Sequence, residues 1–171
     1  NIDAANNTAV GFNAMTENTT GGSNAALGYE ALATNTTGAD NAALGMRALR
    51  LQTTGASNTA VGYRALQANT TGNLNVAVGK DALYVNTTGG NNAALGSDSL
   101  AANTTGDGNS AVGRFALYVN TTADNNTALG YGTLVSNTIG AANTAVGSTA
   151  LDANTTGTAN VGIGYRAMIV N

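Results

Sequence analysis

The 171-residue sequence contains no cysteine, proline, histidine or tryptophan, and only 9% of its residues are charged. Without cysteine there is no disulfide framework and no thiolate metal site. Without histidine the most common general base is missing, which leaves nine scattered carboxylates as the material for catalysis. Six basic residues against nine acidic ones give a net charge of −3 and no basic track for a nucleic-acid backbone, so nucleic acid is excluded as a partner. No apolar run approaches the roughly 18 residues of a transmembrane helix, and nothing resembles a signal peptide, so this segment is not expected to insert into a membrane. Bulky packing units are also scarce. Residues are 43% apolar, but much of that is alanine, with two phenylalanines and six tyrosines. A globular core of this size would use larger side chains. Alanine at regular positions points to a thin object in which each layer has room for a few small groups, and that regularity argues against disorder.

What is present is a repeat. Asn7, Asn24, Asn41, Asn58, Asn75, Asn92, Asn109, Asn126, Asn143 and Asn160 recur every 17 residues without insertion or deletion. Taking each as phase 1 of a coil, coils one to ten start at these asparagines, with residues 1–6 forming part of a preceding coil and 160–171 a partial last one. Phase 5 is glycine throughout: Gly11, Gly28, Gly45, Gly62, Gly79, Gly96, Gly113, Gly130, Gly147 and Gly164. A second glycine falls at phase 15, from Gly21 to Gly157, broken by Ala123. Phase 3 is alanine except for Gly162, phase 4 is Val, Leu or Ile, phase 8 is mostly alanine and phase 9 is Leu or Met. Phase 12 is asparagine except for Gln52, and threonine follows it at phase 13. The whole chain is one repeat array.

A helical reading fails, because each interior glycine costs about 1 kcal/mol relative to alanine, and helical repeats need about 30 residues or more. Seventeen residues fit one coil of a parallel β-solenoid, an all-β fold, with two or three strands of about four residues joined by turns in which glycine supplies positive φ. Coils stacked about 4.8 Å apart give a rod roughly 48 Å long. The glycines then read as corners, and the asparagines as ladders that pass hydrogen bonds from coil to coil.

Neighbouring strand residues point to opposite faces. Phases 3 and 4 are both restricted to small or apolar residues, and so are phases 8 and 9, although one member of each pair should face water. Either alanine is simply small enough for a tight stack, or another copy of the chain covers an outer face. We expect the second. Neither end carries a divergent capping repeat, which predicts a piece of a longer array or end-to-end stacking on another module.

Candidate sites are few. Asp81 and Asp98 share phase 7 in adjacent coils, and Asp107 and Asp124 share phase 16; each pair could hold a cation, or simply form a solvated ridge. Phase 7 also sets Glu30 against Arg47 and Arg64 against Asp81, surface pairs that discourage register slips. Phase 6 carries Phe12, Tyr29, Met46 and Tyr63 in four consecutive coils, then Tyr131 and Tyr165, a rank suited to an interface or to stacking on sugars. The N-T-T segments spell glycosylation sequons at Asn18, Asn35, Asn69, Asn86, Asn103, Asn120 and Asn154, whose spacing is simply the repeat period. We expect no enzymatic activity, no cofactor and no metal.

The phrases NTAVGFNAM, NAALGYEAL, NTAVGYRAL and NSAVGRFAL resemble the head repeats of the YadA-like trimeric autotransporter adhesins, and similar arrays are found in phage and other viral tail fibres. The resemblance spans essentially the whole chain and is specific in phases 1 to 9. It implies a left-handed parallel β-roll, three chains side by side, and display on a bacterial surface. The 17-residue period departs from the family's 14 or 15 through the added N-T-T segment, and the family's coiled-coil stalk and membrane anchor have no counterpart here. The expected function is that of a structural or adhesive extracellular fibre segment, a homotrimer or an end-to-end stack that projects and binds a cell-surface glycan or matrix. A phage or viral tail-fibre shaft is the alternative within that class. An ice-binding solenoid is the alternative outside it, weakened because phases 13 and 14 are adjacent and only one can face outward.

Overall fold

The computed structural model describes residues 5–168; the rest of the two partial coils, 1–4 and 169–171, lies outside them. Ten three-residue strands recur every 17 residues, from β1 (Thr8–Val10) and β2 (Ala25–Leu27) to β9 (Thr144–Val146) and β10 (Val161–Ile163). They form one parallel sheet in strict sequence order. Each residue pairs with the residue 17 positions on, as in Thr59 with Val76 and Ala60 with Ala77. The fold is therefore a parallel β-solenoid of about nine turns, with no helix among the described residues.

Each coil has one strand, where the sequence predicts two or three. The strand occupies phases 2 to 4, and the phase-5 glycine ends it: Gly62 has φ +131°, which L-residues avoid. Left-handed residues then follow at phases 7 and 9, such as Arg64 at +57° and Leu66 at +51°, and another closes the coil at phase 17. Such angles break the pleat but not the stack. Arg64 N–H donates to Met46 O of the previous coil at 3.0 Å, while Leu66, Ala68 and Thr70 donate to Ala82, Tyr84 and Thr87 of the next at 2.9–3.1 Å. Backbone groups stay satisfied around the coil without a second sheet.

The left-handed residues also change which side chains point inward. In a strand, phases 8 and 9 would face opposite ways; here Ala65 and Leu66 are both fully buried. This removes half of the case for a covered outer face, since the leucine rank from Leu32 to Leu151 is the rod's own core. Burying one leucine is worth about 1.5–3 kcal/mol. The other half stands: at phases 3 and 4 the alanine is buried and the larger residue faces out.

The two glycine ranks do different jobs. Phase 5 is a corner with positive φ. At phase 15 no positive φ is needed; a Cβ on Gly72 would lie 2.4 Å from Gly89 O and 2.4 Å from Asn69 Oδ1. Those glycines are there for close approach, where the backbone of one coil presses on the turn of the next.

Candidate functional site

The most conserved phases of the repeat turn out to be fastenings. The phase-1 asparagines from Asn24 to Asn143 are buried, and each clips two places at once. Asn75 Nδ2 donates to Gly89 O at 2.8 Å, closing its own coil, and Asn92 N–H donates to Asn75 Oδ1 at 3.0 Å, holding the next. The phase-12 asparagines form a second ladder: Asn86 Nδ2 donates to Asn69 Oδ1 at 2.9 Å and to Gly89 O at 2.9 Å. These are the residues of the N-T-T sequons. These seven asparagines are buried at 4% exposure or less, so the folded coil does not present them to a glycosylating enzyme. Threonines divide as expected. The phase-13 hydroxyls point into the stack, as when Thr87 donates to Thr104 O at 3.0 Å, and phase 14 faces solvent.

The two acidic pairs proposed as cation sites are otherwise engaged. Asp81 accepts from Arg64 Nε and Nη2 at 2.7 and 2.9 Å and from Lys80 Nζ at 2.6 Å. Burial pushes the Asp81 carboxyl up, but the hydrogen bonds from Arg64 and Lys80 outweigh it and hold it below the usual range. Asp98 accepts from Ser97 Oγ at 2.8 Å. Asp107 and Asp124 accept the backbone N–H groups of Gly90 and Asp107, the phase-16 residues one coil back, at 2.6 and 2.8 Å. Among the described residues no three potential metal ligands gather. The phase-7 pairs form as the register requires: Glu30 accepts from Arg47 Nε at 3.1 Å and from Arg50 Nε at 2.7 Å.

The phase-6 residues all face outward, but they do not form one rank. Phe12 and Tyr29 stack at 5.6 Å between ring centroids, and Arg47 lies over Tyr29 at 5.9 Å. Met46 is exposed in the next coil, and Tyr63 has the Arg64 guanidinium over its ring at 4.8 Å. Tyr131 meets Phe115 edge to face at 6.1 Å, and Tyr165 is exposed near the end of the array. Phase 6 alone missed the aromatics at phases 7 and 10. Arg64 also covers one face of Tyr84 at 4.6 Å, and Phe115 packs edge to face on Tyr118 at 5.4 Å. Side chains at phases 7 and 10 therefore meet on one outer ledge, because phases 8 and 9 between them both turn inward. On that ledge lies a cleft of about 380 Å³ lined by Tyr84, Val85, Ala101, Ala102, Tyr118 and Val119. The signal in the sequence was two tyrosines at phase 10 flanking an alanine, legible only once the ledge is known.

The sheet itself is the other exposed feature. Phase 4 projects a large apolar side chain from every strand, and eight of these ten residues, Val61 and Val146 excepted, are well exposed, with Leu27 at 48% and Leu95 at 41%. Phase 2 beside it carries mostly Ala, Ser and Thr. No helix among the described residues is long and apolar enough to cross a membrane. No protein-family model, curated protein or solved structure matches the chain.

Proposed function

We propose that this chain is a structural and adhesive segment of an extracellular fibre, a rigid rod that projects from a surface and assembles by packing its sheet face against further copies of itself. The observation that carries this reading is the phase-4 rank. Val10, Leu27, Leu44, Val78, Leu95, Val112, Leu129 and Ile163 stand outward in register on one parallel sheet, an apolar stripe that runs from β1 to β10. Monomeric proteins rarely expose so long a contiguous apolar patch. A second copy of the same rod offers a matching stripe with the same coil spacing, and the small phase-2 residues let the two sheets approach closely. Three copies side by side, the arrangement of the YadA-like head repeats that these phrases resemble, would cover the stripe on each chain. The commitment of the buried asparagine ranks and the phase-13 threonines to coil-to-coil fastening supports a mechanical role over a catalytic one. The phase-14 threonines give one outward rank per coil where an ice-binding face calls for two, so the fibre reading is preferred.

Sedimentation equilibrium and light scattering test the reading. The wild type is expected at about three times the 16.8 kDa chain mass. The double substitution Val78→Lys and Leu95→Lys is expected to give a folded monomer with an unchanged β-type circular dichroism spectrum. A wild-type monomer at tens of micromolar would overturn the reading.

A further inference from the structure

We propose that the ledge cleft between Tyr84 and Tyr118 is a binding slot for one pyranose ring of a neutral glycan. The two tyrosines share phase 10 in coils five and seven, so their backbones lie about 9.6 Å apart, two strand spacings. Coil six offers Ala101 between them, and the removed side-chain volume is the slot. Arg64 belongs to coil four and covers one face of Tyr84 at 4.6 Å, so the free face looks toward coil six. Phe115 buttresses Tyr118 edge to face at 5.4 Å, fixing the second wall. Both walls are set before any ligand arrives.

The spacing chooses the occupant. A flat aromatic ring touching both walls at 3.5–4.0 Å would need them only about 7–8 Å apart. A pyranose chair is thicker by its pucker and axial hydrogens, and its two C–H faces suit two ring faces. The lining supplies two phenol hydroxyls, those of Tyr84 and Tyr118, as partners for sugar hydroxyls, and its other residues, Val85, Ala101, Ala102 and Val119, are apolar. No charged side chain lines the cleft, which fits a neutral polyol better than an anion or a cation.

This inference deepens the fibre reading by naming what such a segment would hold, and it rests on that reading for its biological use. The two fail separately, since assembly is read at the sheet face and sugar binding at the ledge. The test titrates methyl α- and β-pyranosides of glucose, galactose and mannose into protein with 13C-labelled tyrosine rings. At least one pyranoside is expected to shift the Tyr84 and Tyr118 ring signals together with a millimolar dissociation constant, while cyclohexanol and tetramethylammonium bind at least tenfold more weakly. Ala101→Tyr is expected to abolish the shifts and leave the melting temperature within a few degrees, because coils five and seven already carry tyrosine at this phase. The proposal is overturned if no pyranoside moves both signals at 100 mM, if cyclohexanol or tetramethylammonium binds equally well, or if Ala101→Tyr binds as the wild type does. Binding that survives intact in a Val78→Lys, Leu95→Lys monomer supports the slot even if the oligomer reading fails.

Discussion

The buried Oδ1 of Asn35 has no hydrogen-bond donor, because the residue above it in the phase-12 ladder is Gln52. In the other coils an asparagine amide reaches back to the oxygen below, as Asn103 does to Asn86 at 2.9 Å. Gln52 is one methylene longer. Its Nε2 donates to Gly55 O at 2.9 Å, and its Oε1 takes both Asn69 and Asn58, at 2.9 and 3.0 Å, so the rung above is sound and the rung below is lost. An unpaired buried acceptor costs about 1–3 kcal/mol. Gln52→Asn is therefore expected to stabilise the rod by about 1 kcal/mol or more and raise the melting temperature by roughly 2–4 °C, measured by calorimetry at matched protein concentration. A lowered melting temperature would show that the ladder is not additive across this coil.

The two glycine ranks predict a contrast. Gly62→Ala meets positive φ and places a Cβ 2.6 Å from Gly79 O, backbone that cannot move without shifting the whole next coil. We expect a loss of at least 2–3 kcal/mol. Gly72→Ala meets contacts as short, but without a forbidden φ, and coil seven already accommodates Ala123 at this phase, 3% exposed. Its cost is expected to be smaller by 1 kcal/mol or more in urea unfolding. Equal losses would mean that corner strain is not what fixes phase 5.

The period, the parallel stack and the asparagine ladders were legible in the sequence because each depends on identity at a fixed phase, and a 17-residue repeat displays that directly. The number of strands was not. Leu66 and Arg64 are ordinary strand or helix residues by propensity, and nothing in their side chains announces a left-handed backbone. The stack imposes it, since inter-coil hydrogen bonds from both neighbours compensate the strain. The Tyr84–Tyr118 slot was hidden for the same reason: it depends on phases 7 and 10 sharing a ledge, which follows only from the inward turn of phases 8 and 9. One sequence clue was available. Phase 4 uses Val, Leu and Ile, whereas phase 9 uses only Leu and Met.

Asp81 gives the rod an acid sensitivity of definite sign. Its carboxyl is held below its ordinary value of 3.8, despite burial, by hydrogen bonds from Arg64 and Lys80. A depressed folded-state pKa means that the unfolded chain binds the proton first as pH falls. The stabilisation is fully present above about pH 4–5 and is lost as pH drops through the folded value, below 3.8. Asp81→Asn should cost about 1.5–3 kcal/mol at pH 7, the range for hydrogen bonds to charged groups. The gap between wild type and variant should then shrink between pH 4 and pH 2, read by thermal melts across that range. A gap that stays constant would assign the loss to packing.

The phase-9 restriction leads to the sharpest test of the backbone. Leu83 is fully buried with φ +50°, in the left-handed region, where a Cβ is tolerated but a second heavy atom on it collides with the flanking peptide groups. By hydrophobicity and volume, Leu83→Ile is a mild change worth less than about 1.5 kcal/mol. By backbone conformation it should cost 2 kcal/mol or more, because strain is added to an already sparse region. Val78→Ile, in the strand at phase 4, is the matched control: the residue is outward and extended, and β-branching suits it, so no loss is expected there. Chemical unfolding of both variants separates the two arguments. If Leu83→Ile is as well tolerated as Val78→Ile, phase 9 is extended in solution and the inward turn that builds both the leucine core and the tyrosine ledge is wrong. If only Leu83→Ile fails, the absence of isoleucine and valine from phase 9 is explained by geometry, and hydrophobicity alone is insufficient.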